Sequence, residues 1–486
     1  MGVKNNFKKS RSMTALAEGT DDSENVLNHS DAREKIRKRW FSCFMPGVGK
    51  LVRAVSRALK HGGSALPGKV VEKLDPGFLA RTLGKLPYGV VLVSGTNGKT
   101  TTTRMITTML RDAGLRVFTN PTGSNFTRGV VASLVQEMSA VSTKLNADIA
   151  VLELDEAYAV HFVRQIKPKY AVLLNVMRDQ LDRFGEIDTT AKLLSNVSRE
   201  TEKVLVLNRE DPRISALSED ILPSCKVKYF GLGDDVRSMF PTDDDLHSNS
   251  NKIENKNTSF SHNLPEADVV LAKIENHKAD FILSGKRKTA VMKLDGAYNI
   301  FNAAAAATVV RAILAEVTGK AETFNDDNIV EALEKVTPAF GRGEIIEVSG
   351  SPVELVLVKN PIGFRLALAS DQPENHDTMI AICDEYADGR DMSWLWDVDF
   401  TCLSKTGVDC VSGTRAWDMA LRLEYDKVSA KNVGTDLEED VRLFVEGDFS
   451  GGAKRAKRIY CTYTAMLRVR AKLAQLAKVK DVGVGK

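Results

Sequence analysis

The sequence is poor in cysteine and has no pattern in the few it holds. Six cysteines, at Cys43, Cys225, Cys383, Cys402, Cys410 and Cys461, are scattered over 486 residues without a Cys-x-x-Cys pair. That scatter excludes a disulfide framework, fits a reducing compartment and leaves no metal knuckle in view. No apolar run approaches the ~20 residues that span a bilayer, and the first residues lack the apolar core of a secretion signal. A cytoplasmic protein is therefore expected. An excess of one charge sign is missing too, since 67 basic residues against 64 acidic ones leave a net +3. So even a balance makes no global demand for nucleic acid, and any basic patch has to be local. With 43% hydrophobic and 27% charged residues, the composition excludes disorder throughout and a collagen-like repeat. At ~150 residues per domain the length allows about three domains.

Residues 1–32 are rich in Asn, Ser, Asp and Lys and hold few large apolar side chains, so they read as a disordered tail. From Arg33 to Lys60 nine basic residues face one acidic residue, Glu34, with Trp40, Phe41, Phe44 and Met45 interleaved. Two readings stand for this segment. It suits an anionic membrane surface; or it is a solvated helix that packs Leu51, Val55 and Leu59 on the first domain, with Pro46 and Gly47 interrupting any single long helix.

From about Tyr88 short β-rich runs alternate with helical stretches: VVLVSG, a helix around Thr101 to Ala113, RVFTN, a helix around Gly129 to Ser139, DIAVLELD and YAVLLNV. That alternation predicts an α/β fold with a parallel sheet. Residues 233–264 turn to Asp, Asn, Ser and Lys without periodicity, which marks a surface insertion. An Ala-rich helix follows at Asn299 to Val317. Alternation then resumes with strands at 353–358 and 378–384 and helices near Ala416 to Glu424, Leu437 to Val445 and Ala465 to Ala477. The expected layout is an N-terminal extension over 1–46, a central domain over 47–340 and a second α/β domain over 341–486.

Chemistry concentrates in four places. Val90 to Ser94 reads as a strand and is followed by Gly95, Thr96, Asn97, Gly98, Lys99, Thr100 and Thr101 at the start of a helix. The two glycines let backbone amides wrap a phosphate, the helix N-terminus attracts negative charge, Lys99 reaches terminal phosphates and Thr100 offers a hydroxyl to Mg²⁺. The spacing is shorter than the usual P-loop, because Val93 stands where its first glycine would be. Second, a buried-looking strand ends in Glu153, Asp155 and Glu156; beside a phosphate loop such carboxylates hold Mg²⁺, and alternation puts Glu153 and Asp155 on one face. Third, Leu174 to Gly185 follows the next strand and so reaches the same carboxyl edge, with Asn175 at its start. Fourth, Asp295 to Asn302 opens the Ala-rich helix, where Asn299 is either a helix cap or, with Asn302, a contact to adenine or ribose.

These four segments in this order resemble the Mur ligase family, whose members use ATP to join a carboxylate to an amine, and the resemblance covers nearly everything from Gly47 onward. It implies a central P-loop ATPase domain with a parallel-rich sheet and a C-terminal Rossmann-like α/β domain. The family's N-terminal nucleotide-sugar domain is expected to be absent, since the phosphate loop comes so early. The segments Phe340 to Glu344, Lys359 to Gly363 and Ala387 to Asp397 further resemble the branch that amidates the α-carboxylate of D-glutamate in the stem peptide of lipid II. In that branch the ATP-using subunit works with a separate GatD-like glutaminase. The resemblance implies ATP and Mg²⁺ as cofactors, a nucleotide site of Gly95 to Thr101, Asn175, Asn299, Asn302 and Arg342, catalytic roles for Lys99 and Glu153, and Mg²⁺ held by Thr100 and Glu153. It also implies that Asp391 completes the Cys-His pair of the glutaminase, where the residues alone allow a helix cap. Several relatives carry a four-cysteine zinc ribbon; here that region holds only Cys225, so no zinc is expected. Lys359 and Arg342 are candidates for phosphate contact or plain surface charge, and Trp394 and Trp396 for core packing or an interface.

Acyl activation makes independent sense. A carboxylate is a poor electrophile, and an acyl phosphate made from ATP supplies the leaving group. Ammonia is mostly ammonium at pH 7 and cannot attack in that form. None of the six cysteines lies between glycines, and after His277 only His376 remains, so the chain does not read as its own glutaminase. A folylpolyglutamate synthase is the nearest rival reading, opposed by the Asp388 to Asp391 and Lys359 to Gly363 segments. A non-catalytic nucleotide-binding scaffold is the other, opposed by Lys99, Thr100 and Glu153 together. On the membrane-surface reading of the basic segment, the lipid substrate adds an expected peripheral contact with the inner membrane surface.

Overall fold

The computed structural model describes residues 40–58, 66–120, 126–142, 144–177, 187–237, 239–240, 264–275, 277–294, 296–317, 319, 323–337, 342–348, 350–369, 372–385, 388–447 and 455–477. The tail, most of the polar insertion, residues 178–185 of the third motif, and Asp295 lie outside these.

Two sheets organise the chain. The first contains β1 (Val90–Ser94), β2 (Val117–Thr119), β3 (Ile149–Glu153), β4 (Tyr170–Leu173), β5 (Val204–Asn208), β6 (Lys226–Leu232), β7 (Val269–Glu275), β8 (Lys278–Leu283) and β9 (Lys286–Val291). Its spatial order is β2-β3-β1-β4-β5-β6-β7-β8-β9. Strands β1 to β7 pair in parallel, while β8 and β9 are added antiparallel. The two residues between β8 and β9, Ser284 and Gly285, both have positive φ, the geometry of a tight hairpin whose twist matches its strands. This β7 to β9 meander was not read from the sequence.

Why the central strands read as continuous apolar runs follows from how they are covered. Every residue of β1, β3, β4 and β5 is buried, as a parallel sheet with helices on both faces requires. Along β1, Val91 and Val93 join one core with Met105 and Ile106. Val90 and Leu92 join the opposite core with Val130, Leu134 and Phe162. Covering the first face are α3 (Lys99–Asp112) and α6 (Ala297–Leu314); on the second lie α4 (Thr127–Glu137) and α5 (Glu156–Val163), together with α1 (Met45–Ala58) and α2 (Leu66–Leu74). Helix α6 is long and apolar enough to cross a membrane by length and composition alone, but 78% of it is buried inside the protein. Its small alanines let it lie close against α3 and β4 to β7.

The second sheet holds β10 (Arg342–Val348), β11 (Ser351–Leu357), β12 (His376–Ala381), β13 (Val408–Ser412), β14 (Ala430–Val433) and β15 (Ala456–Cys461) in the order β10-β11-β15-β12-β13-β14. Only β10 runs antiparallel to its neighbour. Again the pleat divides two cores. Ile380 packs with Phe364 of α7 (Pro361–Ala369) and Met419 of α8 (Ala416–Tyr425). Met379 and Ala381 face Val441 and Phe444 of α9 (Leu437–Glu446) and Met466 and Val469 of α10 (Tyr463–Leu476).

The basic segment departs from the expected packing. Trp40–Phe44 is a 3-10 turn that runs directly into α1, and Pro46 sits in the first turn, where its missing N–H costs nothing. The face of α1 turned inward is Met45, Gly49 and Ser56, with Gly49 lying against Val135 and Val71. Leu51 and Val55, expected against the domain, are instead 65% and 50% exposed; Leu59 is outside the described residues. The inward stripe is small because α1 lies close on α2 and α4, which leaves the large aliphatic side chains on the other side.

Candidate active site

The phosphate loop leaves the carboxyl end of β1 beside β4, where the strand order reverses and open α/β sheets bind ligands. Gly95 and Gly98 have φ of 131° and 89°. A side chain at Gly98 would meet the Asn302 amide at 2.3 Å, and one at Gly95 would press on the backbone of Leu174 and Asn175 at 3.0–3.1 Å. Bare backbone therefore wraps the mouth of the loop, with the fourteen-residue helix α3 starting behind it. Within it, Lys99 Nζ donates to Gly95 O at 2.7 Å and to Thr96 O at 3.4 Å. It also pairs with Asp155 at 3.1 Å and Glu156 at 3.9 Å. An ammonium this buried is tolerable only with such partners.

Asparagines finish the loop by standing in for peptide groups. Asn97 N donates to Asn175 Oδ1 at 2.8 Å, and Asn175 Nδ2 donates to Asn97 O at 3.0 Å. Thr96 N bonds Asn175 O at 3.0 Å, and Met177 N donates to Thr96 Oγ1 at 3.1 Å. Past the end of β2, Asn120 does the same for Glu153: its Nδ2 donates to Glu153 O and its Oδ1 accepts from Glu153 N, both at 3.0 Å. A side-chain carboxamide thus extends the β2–β3 ladder by one residue and fixes where the strand-end carboxylates emerge.

Of the expected residues, Gly95 to Thr101, Glu153, Asn175 and Asn302 are brought to this edge. Thr101, Glu153, Asn175 and Asn302 are buried, and Thr100 is half-buried at the helix start. Glu153 closes β3 opposite Val93. Asp155 lies beyond the strand, in the position before α5, and pairs with Lys99, as does Glu156 in the first turn of that helix. Asn299 is not the cap of α6: Gly296, with φ of 86°, takes that place, and Asn299 N bonds its carbonyl at 3.0 Å. Arg342 opens β10, its backbone paired with Val356; its side chain is outside the described residues. Lys359, following β11, reaches across to the loop and donates to Thr96 O at 3.2 Å. Asn360 was not singled out from sequence. Its Nδ2 donates to Asn97 Oδ1 at 3.1 Å while its Oδ1 accepts Gly363 N at 2.8 Å, so one side chain caps α7 and ties the second sheet to the phosphate loop. Asn-Pro before a helix was the signal that could have revealed it.

The loop fits a nucleotide polyphosphate: it offers a bare-backbone cradle, a helix N-terminus and a lysine. Thr100 and the strand-end carboxylates are hard oxygen donors of the kind Mg²⁺ takes, and among the described residues no group of three His, Cys, Asp or Glu side chains is arranged to hold a metal ion.

Asp391 lies elsewhere, after β12 on the carboxyl edge of the second sheet. It is exposed, and its Oδ1 accepts Ser393 N at 2.9 Å. Hydrogen bonding from the Ser393 side chain, and then from its backbone N–H, holds the carboxyl below the usual range, so it stays ionised. Behind it Asp388 is buried and accepts Thr464 N at 2.8 Å, fastening the segment to the start of α10. The two tryptophans divide: Trp394 is buried in the core and Trp396 is 49% exposed. Trp396 meets Tyr425 edge-on at 5.5 Å, and the buried Arg422 guanidinium lies 5.5 Å from the Trp396 ring. Trp417, Leu421 and Tyr425 of α8, spaced four residues apart, are all exposed. Four of the six cysteines are buried; burial pushes the Cys225 thiol up to about 11 and the Cys410 thiol up to about 12.

The comparisons with known proteins agree with this anatomy. The Mur ligase middle domain matches residues 93–310 and the MurT ligase C-terminal domain matches residues 357–466. Lipid II isoglutaminyl synthase (glutamine-hydrolyzing) subunit MurT of Streptococcus pneumoniae is 31% identical over 437 residues, covering 85% of this chain and 92% of its own. The subunit of the same name from Staphylococcus aureus strain COL is 30% identical over 415 residues, covering 81% and 89%. Among solved structures, MurF ligase from Thermotoga maritima in complex with ADP superposes with a TM-score of 0.58 at 18% identity, covering 85% of this chain and 84% of that one. The last likeness speaks to the fold alone; the first four, spanning both sheets, show that the chain belongs to the MurT branch of the Mur ligase family.

Proposed function

We propose that this chain is the ATP-dependent synthetase subunit of a glutamine amidotransferase. It amidates the α-carboxylate of D-glutamate in the stem peptide of lipid II to D-isoglutamine, at the cytoplasmic face of the membrane, with ammonia from a separate GatD-like glutaminase. The observation that carries this is the convergence on one loop of Lys99, its carboxylate partners, and Lys359 and Asn360 from the second sheet. A single phosphate cradle built from both units is what a reaction between a nucleotide and an acceptor held by different parts of a protein needs.

When bound, ATP supplies the phosphoryl group that turns the carboxylate into an acyl phosphate. The chain does the rest by position and charge. Amides from Gly95 to Lys99 and the α3 N-terminus hold the phosphates, and the Lys99 ammonium, kept in place by Asp155 and Glu156, neutralises them. Thr100 and Glu153 would hold Mg²⁺, with Asn120 fixing the backbone of Glu153. Asn175 and Asn302 set the loop from below, and Asn299 with Arg342 completes the nucleotide site. Lys359 adds a second positive charge at the loop from the side of the other sheet.

Ammonia has to come from outside. Cys225, Cys410 and Cys461 are buried and their thiols held protonated by that burial, so none is a glutaminase nucleophile. Asp391 is ionised and exposed, with the rim of Trp396, Trp417, Leu421 and Tyr425 in the same unit. An exposed aromatic cluster and an exposed carboxylate on the same unit suit a partner that needs that carboxylate next to its Cys-His pair.

The test is mass spectrometry of lipid II incubated with ATP, Mg²⁺ and glutamine, with this chain alone and together with its glutaminase. The mass change of a hydroxyl replaced by an amino group, seen only with both proteins, is expected. No change, with ATP-dependent addition of glutamate to a folate instead, overturns the proposal.

A further inference from the structure

The N-terminal helix presents a face that the proposed chemistry does not use. Helix α1 is fixed to the first unit from several directions. Ser42 Oγ donates to Asp75 at 2.5 Å and Arg81 donates to both of them. Lys50 Nζ donates to Met138 O at 2.6 Å, and Gly49 lies flush against Val135 and Val71. These contacts set the helix's rotation about its own axis, so its outer face is decided by the fold. On that outer face Leu51 and Val55 lie one turn apart, and Phe44, 47% exposed, stands just before the helix.

Charge decides what such a face suits. Helix α1 contains Lys50, Arg53 and Arg57 and no acidic residue. Among the described residues no carboxylate pairs with Arg53 or Arg57. Partial burial, and after it the neighbouring Arg57 guanidinium, press Arg53 below the usual arginine range. In the sequence the segment before the helix adds Arg33, Lys35, Arg37, Lys38 and Arg39. A second copy of the same face would bring these cations against each other, which opposes self-association. An anionic lipid surface answers both features, taking apolar side chains into its boundary and cations at its headgroups.

We infer that the outer face of α1, where Phe44, Leu51 and Val55 are exposed and Arg53 and Arg57 stand along its flank, docks this protein on an anionic lipid bilayer. The docking does not depend on the proposed amidation, although it would place the active site at the surface where a lipid-linked substrate sits. It also moves the contact away from the tail, since every residue of the face lies at or after Phe44.

The test is co-sedimentation of the full chain with vesicles of phosphatidylglycerol and phosphatidylcholine, against vesicles of phosphatidylcholine alone. The wild type is expected to bind the anionic vesicles, less as salt rises. The combined variant Phe44→Ser, Leu51→Ser, Val55→Ser should bind at least about tenfold more weakly, and Arg53→Gln, Arg57→Gln roughly fivefold more weakly per charge removed. All of these positions except Arg53 are exposed, and Arg53 is half-buried, so amidation of a soluble, lipid-free stem peptide should be unchanged. Equal binding by wild type and triple variant overturns the inference. So does a wild type that ignores anionic vesicles, or one that light scattering shows to be a dimer dispersed by the triple variant. If the wild type binds vesicles yet amidates nothing, the proposed function fails and the docking stands.

Discussion

Lys99 and Asp391 both stand at the carboxyl edge of a largely parallel sheet, yet their surroundings differ in kind. Lys99 is buried and held by two loop carbonyls and two carboxylates, with a second unit reaching over to the same loop. Asp391 is exposed and holds one backbone N–H through its side chain. A buried charge must be satisfied within its own chain, so the lysine's site is built entirely from this protein. An exposed carboxylate carries no such demand, and its counterpart can come from another protein.

That contrast can be broken experimentally. Lys99→Ala should lower amidation by on the order of 10³-fold or more and abolish ATP binding, measured by turnover and calorimetry; turnover near wild type would remove the lysine from the chemistry. Asp391→Asn should cut glutaminase activity of the two-protein complex by on the order of 10²- to 10³-fold while ATP binding by this chain survives. Loss of ATP binding as well would merge two sites described here as separate. Trp417→Ala and Tyr425→Ala, at exposed positions, should each weaken association with the glutaminase by roughly 30-fold, about 2 kcal/mol, and leave Tm within a few degrees. Association unchanged in both variants would move the partner to another face.

The smallest effect is one of pH. Folded Cys225 and Cys410 hold their protons to about 11 and about 12, whereas an unfolded thiol loses its proton near 8.5. Their contribution to stability is thus full below about 8.5 and fades as pH rises through 11 and 12, because the unfolded chain binds fewer protons there. Thermal melts between pH 8 and 11 should fall, and Cys225→Ala with Cys410→Ala should flatten the fall. Thiol labelling at pH 8 should reach the exposed Cys402 first.

Much of this was legible in the sequence because local rules and the fold agree. The run Val90 to Ser94 followed by Gly95 to Thr101 needs a buried strand, a positive-φ turn and a helix start in that order, and each is a short-range property of the residues themselves. The same holds for the Ala-rich helix and for the alternation of the second unit. What stayed hidden depends on distance along the chain. Asn120 shows its value only where β2 meets β3, and Asn360 only because its segment arrives over Asn97. The β8–β9 hairpin was missed because its outer strand, β9, is a short edge strand rich in Lys and Arg and carries a weak apolar signal.

The sequence by itself determined the two α/β units and the phosphate loop, since periodicity, glycine placement and residue type are written locally. Tertiary structure alone decided that Asp155 and Glu156 hold Lys99, that Trp394 turns inward and Trp396 outward, and that α1 buries Met45, Gly49 and Ser56 while exposing Leu51 and Val55. Each is a choice among side chains of similar local character, settled by which neighbours close packing allows.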